Sequence, residues 1–337
     1  MSGDKLIQLA HGGGGWLTRE LIESEIVARF GNGPLRGLPD GATLPSPRGQ
    51  LVFTTDSFVV QPLEFPGGNI GHLAVHGTVN DIAVCGGVPL WLSLALIIEE
   101  GLPFAVLARV LDSVRSAADA CGVTVATGDT KVVARGQGDG LYVNTAGIGQ
   151  ALPEFALSRE RIREGDCVLV NGPLADHGLA VLAARQNIGF VNGPQSDTAP
   201  IHRLVLSVRD LGASVRFMRD PTRGGAAAVL NEIVGGAGFG ILMRERDLPL
   251  NPATRAVSEM LGIDPLHVAS EGRVILICAA GAAPEILRRW HAMPEGAGAA
   301  CLGVVTRDNT GRVVLETLAG GRRLVDVPRG ELLPRIC

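Results

Sequence analysis

The chain has 337 residues, 46% of them hydrophobic, and carries 30 Lys and Arg against 34 Asp and Glu for a net charge of −4. That balance lacks the basic footprint of a nucleic-acid-binding protein, so no nucleic-acid partner is expected. The longest apolar stretch, 82–98, is broken by Gly86, Gly87 and Pro89 and falls short of a membrane span. With 46 glycines and only 4% aromatic residues, the composition leans toward an α/β protein with tight turns around a small or phosphorylated ligand.

In chain order, the β-branched run 51–60 reads as a buried strand. A helical pattern over 72–85 stops at Gly86-Gly87, and 91–98 reads as a second strand. Over 104–121, Phe104, Leu107, Leu111, Val114, Ala118 and Cys121 fall on one helical face, with Gly122 as the stop. Strands follow at 123–134 and 140–149. A second run begins after Pro153, with strands at 167–171, 239–243, 273–280, 300–306 and 312–317. Its helices are expected near 176–188, 200–212, 222–236 and 251–261. Each half mixes helices and strands and can bury its own core, so two domains are expected with a boundary at 151–160. Several strands are adjacent in sequence, which disfavours a strictly alternating parallel sheet.

The six cysteines include no Cys-x-x-Cys pair, which argues against a thiolate zinc site. No apolar signal region is seen in MSGDKLIQLAHGGGG, so a soluble protein of the reducing cytoplasm is expected. Cys85, Cys167, Cys278 and Cys301 sit in apolar stretches, and Cys121 ends a helical pattern. All five read as small buried hydrophobes. Cys337 differs: it is the last residue of the sequence, in Pro334-Arg335-Ile336-Cys337. The seven steps from Gly330 could span about 25 Å, enough to carry a thiol into a pocket. The alternative is an incidental surface cysteine.

Several polar groups interrupt the apolar pattern. Gly12, Gly13, Gly14 and Gly15 leave backbone N–H groups free to wrap an anion, or form a flexible linker. Asp56 lies in an apolar strand, where it must be paired, hydrogen-bonded or metal-bound, or else caps a turn. Asn80 and Asp81 are poor helix-interior residues and suggest a facing ligand. Gly128-Asp129-Thr130-Lys131 reads as a strand break offering a carboxylate, a hydroxyl and an ammonium. Carboxylates from several loops suit Mg²⁺, which shares oxygen ligands with phosphates. Asp220-Pro221 reads as an N-cap followed by Pro, and Arg223-Gly224-Gly225 suits an anion. Glu271 and Asp176-His177-Gly178 read as turn and cap residues when taken alone.

Together these pieces resemble one family. HGGGG, TTDSFV, HGTVNDIAVCGGVPLWLSLALIIEEG, TGDTKVV, DHG, DPTRGG, SEGR and the terminal PRIC resemble the HypE carbamoyl dehydratases of [NiFe] hydrogenase maturation. The central motifs are shared more loosely with ATP-using relatives of the aminoimidazole ribonucleotide synthetase superfamily. The resemblance implies a mixed α/β (α+β) fold of two α/β domains, 1–155 for ATP binding and dimerisation and 156–330, with a mobile tail at 331–337. It implies a homodimer that completes a β-barrel between subunits, with ATP in the cleft at that interface. Asp56, Asp81 and Asp129 become candidate Mg²⁺–ATP ligands, Asn80 supports them, and Gly12–Gly15 cover the phosphates. Asp220 and Arg223 shape the phosphate or tail site. Lys131 and Glu271 become candidates for proton transfer at Cys337, with their roles undivided.

The implied reaction dehydrates an S-carboxamide on Cys337 to a thiocyanate, with ATP making the oxygen a leaving group. The implied partners are a HypF-type carbamoyltransferase and a HypC–HypD iron scaffold. Two alternatives stay open. One is another enzyme of the superfamily, handling selenophosphate, aminoimidazole ribonucleotide or thiamine phosphate. The other is a non-catalytic carrier docking through its tail.

Overall fold

A computed structural model describes residues 5–31, 33–327 and 336–337. The chain begins with two short helices, α1 (Trp16–Leu21) and α2 (Ala28–Phe30), joined by a π-helical stretch. Then come β1 (Leu51–Phe58), the small hairpin β2 (Glu64–Phe65) and β3 (Gly68–Asn69), and α3 (Ile70–Val84). β4 (Gly87–Glu99), α4 (Phe104–Cys121), β5 (Thr124–Val133) and β6 (Leu141–Ala151) complete the first half. Its four-stranded sheet has the order β1-β6-β4-β5. β4 and β5 are parallel, joined by the α4 crossover, and the other pairs are antiparallel. The mixed sheet fits the adjacency of strands in the sequence.

Helix α3 lies on one face of this sheet and is buried on almost every side, so its apolar pattern does not form a single stripe. The contact is close because the facing strand has no side chains in the way. A Cβ on Gly149 would sit 2.4 Å from the Ile82 side chain. α4 is the contrasting case, with Phe104, Leu107, Leu111, Val114, Ala118 and Cys121 buried on one face and a left-handed Gly122 closing it. That matches the expected stripe and stop.

The second half contains β7 (Cys167–Val170), α5 (Asp176–Arg185), α6 (His202–Ser207), β8 (Val215–Arg219), α7 (Gly225–Val234), β9 (Gly240–Arg244) and α8 (Pro252–Leu261). β10 (Ile275–Cys278), α9 (Ala283–His291), β11 (Ala300–Thr306), β12 (Val313–Glu316) and β13 (Arg322–Leu324) follow. The seven strands have the order β13-β12-β9-β11-β7-β10-β8. One apolar cluster, with α7, covers one side of the sheet, and a second, with α6 and α9, covers the other. Ala83 and Val84 of α3 belong to the second cluster, while Val181 and Ala269 join the core around the first sheet. The halves therefore share apolar packing as well as having their own cores.

Four local expectations change. Residues 128–131 do not break a strand: β5 runs through them, and Gly128 is there because a Cβ would approach the Leu94 carbonyl oxygen to 2.3 Å. Asp220 is not an N-cap, since α7 starts at Gly225 after a left-handed Gly224. The helix expected over 200–212 ends at Ser207 and continues as a 3-10 turn. Cys85 is exposed rather than buried, and Cys167 and Cys301 are half-buried, whereas Cys121 and Cys278 are buried as expected. The segment 328–335, with most of the tail expected to be mobile, lies outside the described residues.

Candidate active site

Strand alternation decides where the acidic residues go. On β1, Leu51, Phe53, Thr55 and Ser57 are exposed on the open face of the sheet. Asp56 is on the other face, toward α3, and a Cβ added to Gly77 of α3 would lie 3.7 Å from its Oδ2. From α3, Asp81 approaches the same strand and accepts a 2.7 Å hydrogen bond from the Thr54 hydroxyl. Asp56 and Asp81 line a cavity of about 590 Å³ together with Asp220, Arg219 and Arg223 of the second half.

The electrostatics of this cleft are those of crowded acids. Burial, then the Asp81 charge, raises Asp56. Burial also raises Asp81. Asp220 is pushed up to about 7, first by burial and then by Asp81, with Asp56 adding to the effect. Glu271 is 3% exposed and lies well above the ordinary carboxyl range, through burial and then Asp220, Asp197 and Asp56. Its Oε1 is buried without a hydrogen-bond partner. A buried acid with an idle oxygen needs a reason, because leaving such an atom unpaired costs roughly 1–3 kcal/mol.

Cys337 reaches this cleft within its own chain. Its backbone oxygen accepts from the Val59 N–H at 3.2 Å. The preceding residue, Ile336, is 5% exposed and joins the core around the first sheet. The thiol is raised far above its usual value, by burial first and then by Glu271, while Arg223 opposes the shift and Asp56 and Asp220 reinforce it. The sulfur thus lies within the fields of Glu271, Arg223, Asp56 and Asp220.

Asn80 does not face an open ligand site. Its side-chain amide donates to the carbonyls of Ala199 at 3.0 Å and Glu271 at 3.2 Å, and its oxygen accepts from Ile201 N at 2.8 Å. All three groups belong to the second half. Asn80 therefore pins the backbone of Glu271 to α3, which explains a buried Asn inside an apolar helix.

Asp129 and Lys131 lie elsewhere. The register aligns Ser57, Asn144, Ala95 and Asp129 in one row across the open face. β1 and β5 are three strand steps apart, roughly 14 Å at about 4.8 Å per step. Asp56 and Asp129 are thus on opposite edges and opposite faces, so one chain does not gather the Asp56, Asp81 and Asp129 set. Lys131 donates to Asp129 at 2.9 Å, and both side chains are 64% exposed. That hydrogen bond is the main reason Asp129 lies below the usual carboxylate range. Gly12 and Gly14 line the same shallow cavity, of about 250 Å³, beside Thr18, Asp129 and Lys131. Gly13 and Gly15 flank them, and the Gly14 N–H donates to the Thr18 hydroxyl at 2.9 Å.

Asp176 and His177 are more than turn and cap. Asp176 accepts from the Asn251 amide at 2.6 Å and from the Thr254 hydroxyl, and burial pushes it up to about 6. His177 is fully buried and contacts the Ile336 carbonyl oxygen through Nε2. The sequence signal for both was the short DHG motif alone. Arg273 forms ion pairs with Asp197 at 3.2 Å and Asp176 at 3.9 Å.

The donor chemistry fits a divalent cation shared with a phosphate ligand. Among the described residues, no three His, Cys, Asp or Glu side chains make a metal site by themselves. Mg²⁺ does not need three, since it is held by one or two carboxylates plus phosphate oxygens and water. Asp56 and Asp81, both raised and on one cavity, have the character such an ion would relieve.

Family models match most of the chain. Residues 39–151 match the AIR synthase related protein, N-terminal domain, and residues 163–316 match its C-terminal domain. The carbamoyl dehydratase HypE of Rhizobium leguminosarum bv. viciae is 47% identical over 98% of this chain and 95% of its own length. The chain belongs to the HypE carbamoyl dehydratase family. A crystal structure of the hydrogenase maturation protein HypE in complex with ATP superposes with a TM-score of 0.93 at 41% identity, covering 98% of this chain and 99% of that one. The HypE of a HypE–HypF complex superposes at 0.80 and 40% identity, over 91% and 99% of the two chains. The two-domain mixed α/β fold implied by the resemblance is the fold observed. Among the described residues, no helix is long and apolar enough to cross a membrane.

Proposed function

We propose that this chain is an ATP-dependent carbamoyl dehydratase acting on its own Cys337, and that it supplies the cyanide ligands of a [NiFe] hydrogenase iron centre. The observation that carries this reading is the place of Cys337: its thiol lies in the fields of the buried Glu271 and of Arg223, Asp56 and Asp220, the last three of which line the acidic cavity. A carrier docking through its tail would not require its thiol to enter such a cleft.

The residues divide as follows. Asp56 and Asp81 would hold Mg²⁺, with Asp220 beside them. ATP would supply the phosphoryl group that turns the carboxamide oxygen into a leaving group, and the ion would offset its charge. Arg223 offers a cation beside the same cavity for phosphate oxygens. Burial, and after it the charges of Asp220, Asp197 and Asp56, raise Glu271 well above the ordinary carboxyl range, which favours its protonated form. A cation held by Asp56 and Asp81 would offset the Asp56 share of that repulsion, and Glu271 would then be the acceptor for a carboxamide N–H proton. Bond by bond, the carboxamide oxygen takes the γ-phosphoryl group as its bond to ADP breaks and ADP leaves; the C–O bond then breaks with phosphate leaving, one nitrogen proton goes to Glu271 and the other to the departing phosphate or solvent, and a C≡N bond forms on the carbon attached to sulfur. Asn80 holds the Glu271 backbone in place for this step.

Lys131, Asp129 and Gly12–Gly15 enter from a second copy of the chain. β1 and β5 are the two ends of the first sheet, and its open face exposes Leu51, Phe53 and Ile97. Open strand edges and an apolar face call for a partner. A homodimer closing the two sheets into a barrel would cover that face and bring the phosphate-side residues of one subunit to the acid cleft of the other. We assign residues 1–155 to ATP binding and dimerisation and 156–330 to the second domain. A HypF-type carbamoyltransferase would load Cys337, in keeping with the HypE–HypF complex of a relative. A HypC–HypD iron scaffold in the cytoplasm would accept the cyanide.

Intact-protein mass spectrometry after carbamoylation tests the reading. Loss of one water from the Cys337 adduct, only with Mg²⁺ and ATP, is expected. A carboxamide that persists with ATP and Mg²⁺ present would favour a carrier.

A further inference from the structure

His177 joins the end of the tail to the body of the protein, and no step of the chemistry above uses it. Its ring is fully buried, at the start of α5, in edge-on contact with Phe65 at 5.3 Å. Nε2 meets the Ile336 carbonyl oxygen at 2.5 Å, and Nδ1 meets the Ser196 hydroxyl at 2.8 Å. These partners fix the tautomer. A carbonyl oxygen only accepts, so Nε2 must carry the proton. Burial holds the ring neutral, so Nδ1 accepts and the Ser196 hydroxyl must donate to it. Ser196 Oγ can do so because its lone pair accepts from Thr198 N at 3.2 Å, and its own backbone N–H is tied to the Pro66 carbonyl at 2.8 Å. Every donor in this relay has one acceptor, and the last link is the tail.

The second grip is on the next residue, where Val59 N–H binds the Cys337 backbone oxygen at 3.2 Å. Val59 follows β1, the strand that carries Asp56. Two contacts to the tail backbone, one from each half of the protein, therefore hold consecutive tail residues, with the Ile336 side chain buried in the core around the first sheet.

We propose that His177 is the positioning residue of the tail: it latches the Ile336 carbonyl, and with Val59 sets the register that puts the Cys337 sulfur beside Glu271. The inference rests on the proposed dehydratase reading for its catalytic consequence, but not for the latch itself. Both contacts are to backbone, so the latch holds the free and the carbamoylated tail alike. Its loss shifts the tail out of the cleft without touching the reacting atoms.

The test compares His177→Leu, which removes the donor, with His177→Gln, which can return an N–H near the Nε2 position. Alkylation of Cys337 is followed by mass spectrometry in the full-length protein. Cys85 is the exposed internal reference, and buried Cys121 and Cys278 report on folding. In His177→Leu, Cys337 should alkylate about tenfold faster relative to Cys85, matching the loss of one hydrogen bond. Cys121 and Cys278 should stay protected, and His177→Gln should restore much of the wild-type rate. ATP-dependent water loss from the carbamoylated protein should slow in parallel, with loading of Cys337 by the carbamoyltransferase unchanged. An unchanged alkylation ratio in His177→Leu would overturn the latch, as would equal exposure in both variants with the fold intact. If wild-type protein never loses water, the dehydratase reading fails, while the alkylation ratio still decides the latch.

Discussion

The two edges of the first sheet have opposite electrostatic character. At β1, burial raises Asp56, Asp81, Asp220 and Glu271, repulsion among the acids adds to the shift of all but Asp81, and Cys337 joins them. At β5, Asp129 and Lys131 form an exposed pair that lowers Asp129, and exposed pairs of this kind contribute little to stability. The difference teaches that the first edge is organised by its own chain, whereas the second presents an exposed charged pair facing outward. A phosphate-handling site needs both: acids for a cation, and an ammonium for the anion.

Removing the buried acid should have the largest effect. Glu271→Gln keeps the shape of the cleft but cannot take a proton, so ATP-dependent water loss should fall by roughly 10²–10⁴-fold. Mass spectrometry should then show the Cys337 carboxamide accumulating; dehydration at the wild-type rate would remove Glu271 from the chemistry. Lys131→Ala, at the other edge, should slow the same step by about 10²-fold, with no change in thermal stability, because its side chain is 64% exposed. A large drop in melting temperature would make it a structural residue instead.

Two smaller effects separate scaffold from site. Gly128→Ala places a Cβ against the Leu94 carbonyl and should cost about 1–3 kcal/mol in urea unfolding. An unchanged midpoint would mean that β4 and β5 can part without cost. Asp176 gives a pH signature. Its folded-state value of about 6 lies above its ordinary value of 3.8, so between those pH values the folded chain holds a proton that the unfolded chain has released. Its contribution to stability therefore falls as pH rises from about 4 to 6 and levels off above, by at most about 1.4 kcal/mol per pH unit. Asp176→Asn should remove that slope in denaturation curves taken across this range. A slope that persists unchanged belongs to other groups.

Much of the fold was legible because its signals are local. The α4 stripe with Gly122, the β-branched run of β1 and the strand at 300–306 each follow from a single periodicity. The omissions have physical reasons too. In β8, Val-Arg-Phe-Met-Arg mixes charge into a short strand that pairs with only one neighbour. In α9, the helical spacing of Ile286 and Trp290 was present in the sequence but sits among charged residues. Asp56, Asp81 and Cys337 stood out in the residue pattern itself, whereas Glu271 and its approach to Cys337 came only through the family resemblance, since their meeting depends on α3 crossing between two sheets. Asn80 looked like a ligand group because a buried amide in a helix does not reveal what faces it; its partners are backbone groups more than a hundred residues away. Val59 was invisible as a tail contact because a backbone N–H has no side-chain motif, and the DHG motif does not reveal that the His177 ring meets a backbone oxygen of the tail.

A mixed dimer tests most directly whether the site is built from two unlike edges. One subunit carries Lys131→Ala and its partner carries Glu271→Gln, each distinguishable by mass. If the β5 edge of one chain serves the β1 cleft of the other, the Lys131→Ala subunit keeps its own Glu271 and Cys337 and receives an intact Lys131. Its carbamoylated Cys337 should then lose water with ATP at close to the wild-type rate, while the Glu271→Gln subunit stays carbamoylated. Failure of both subunits to lose water, in a dimer whose unmutated form does so, would contradict the shared site and place Lys131 and Glu271 in the service of one chain.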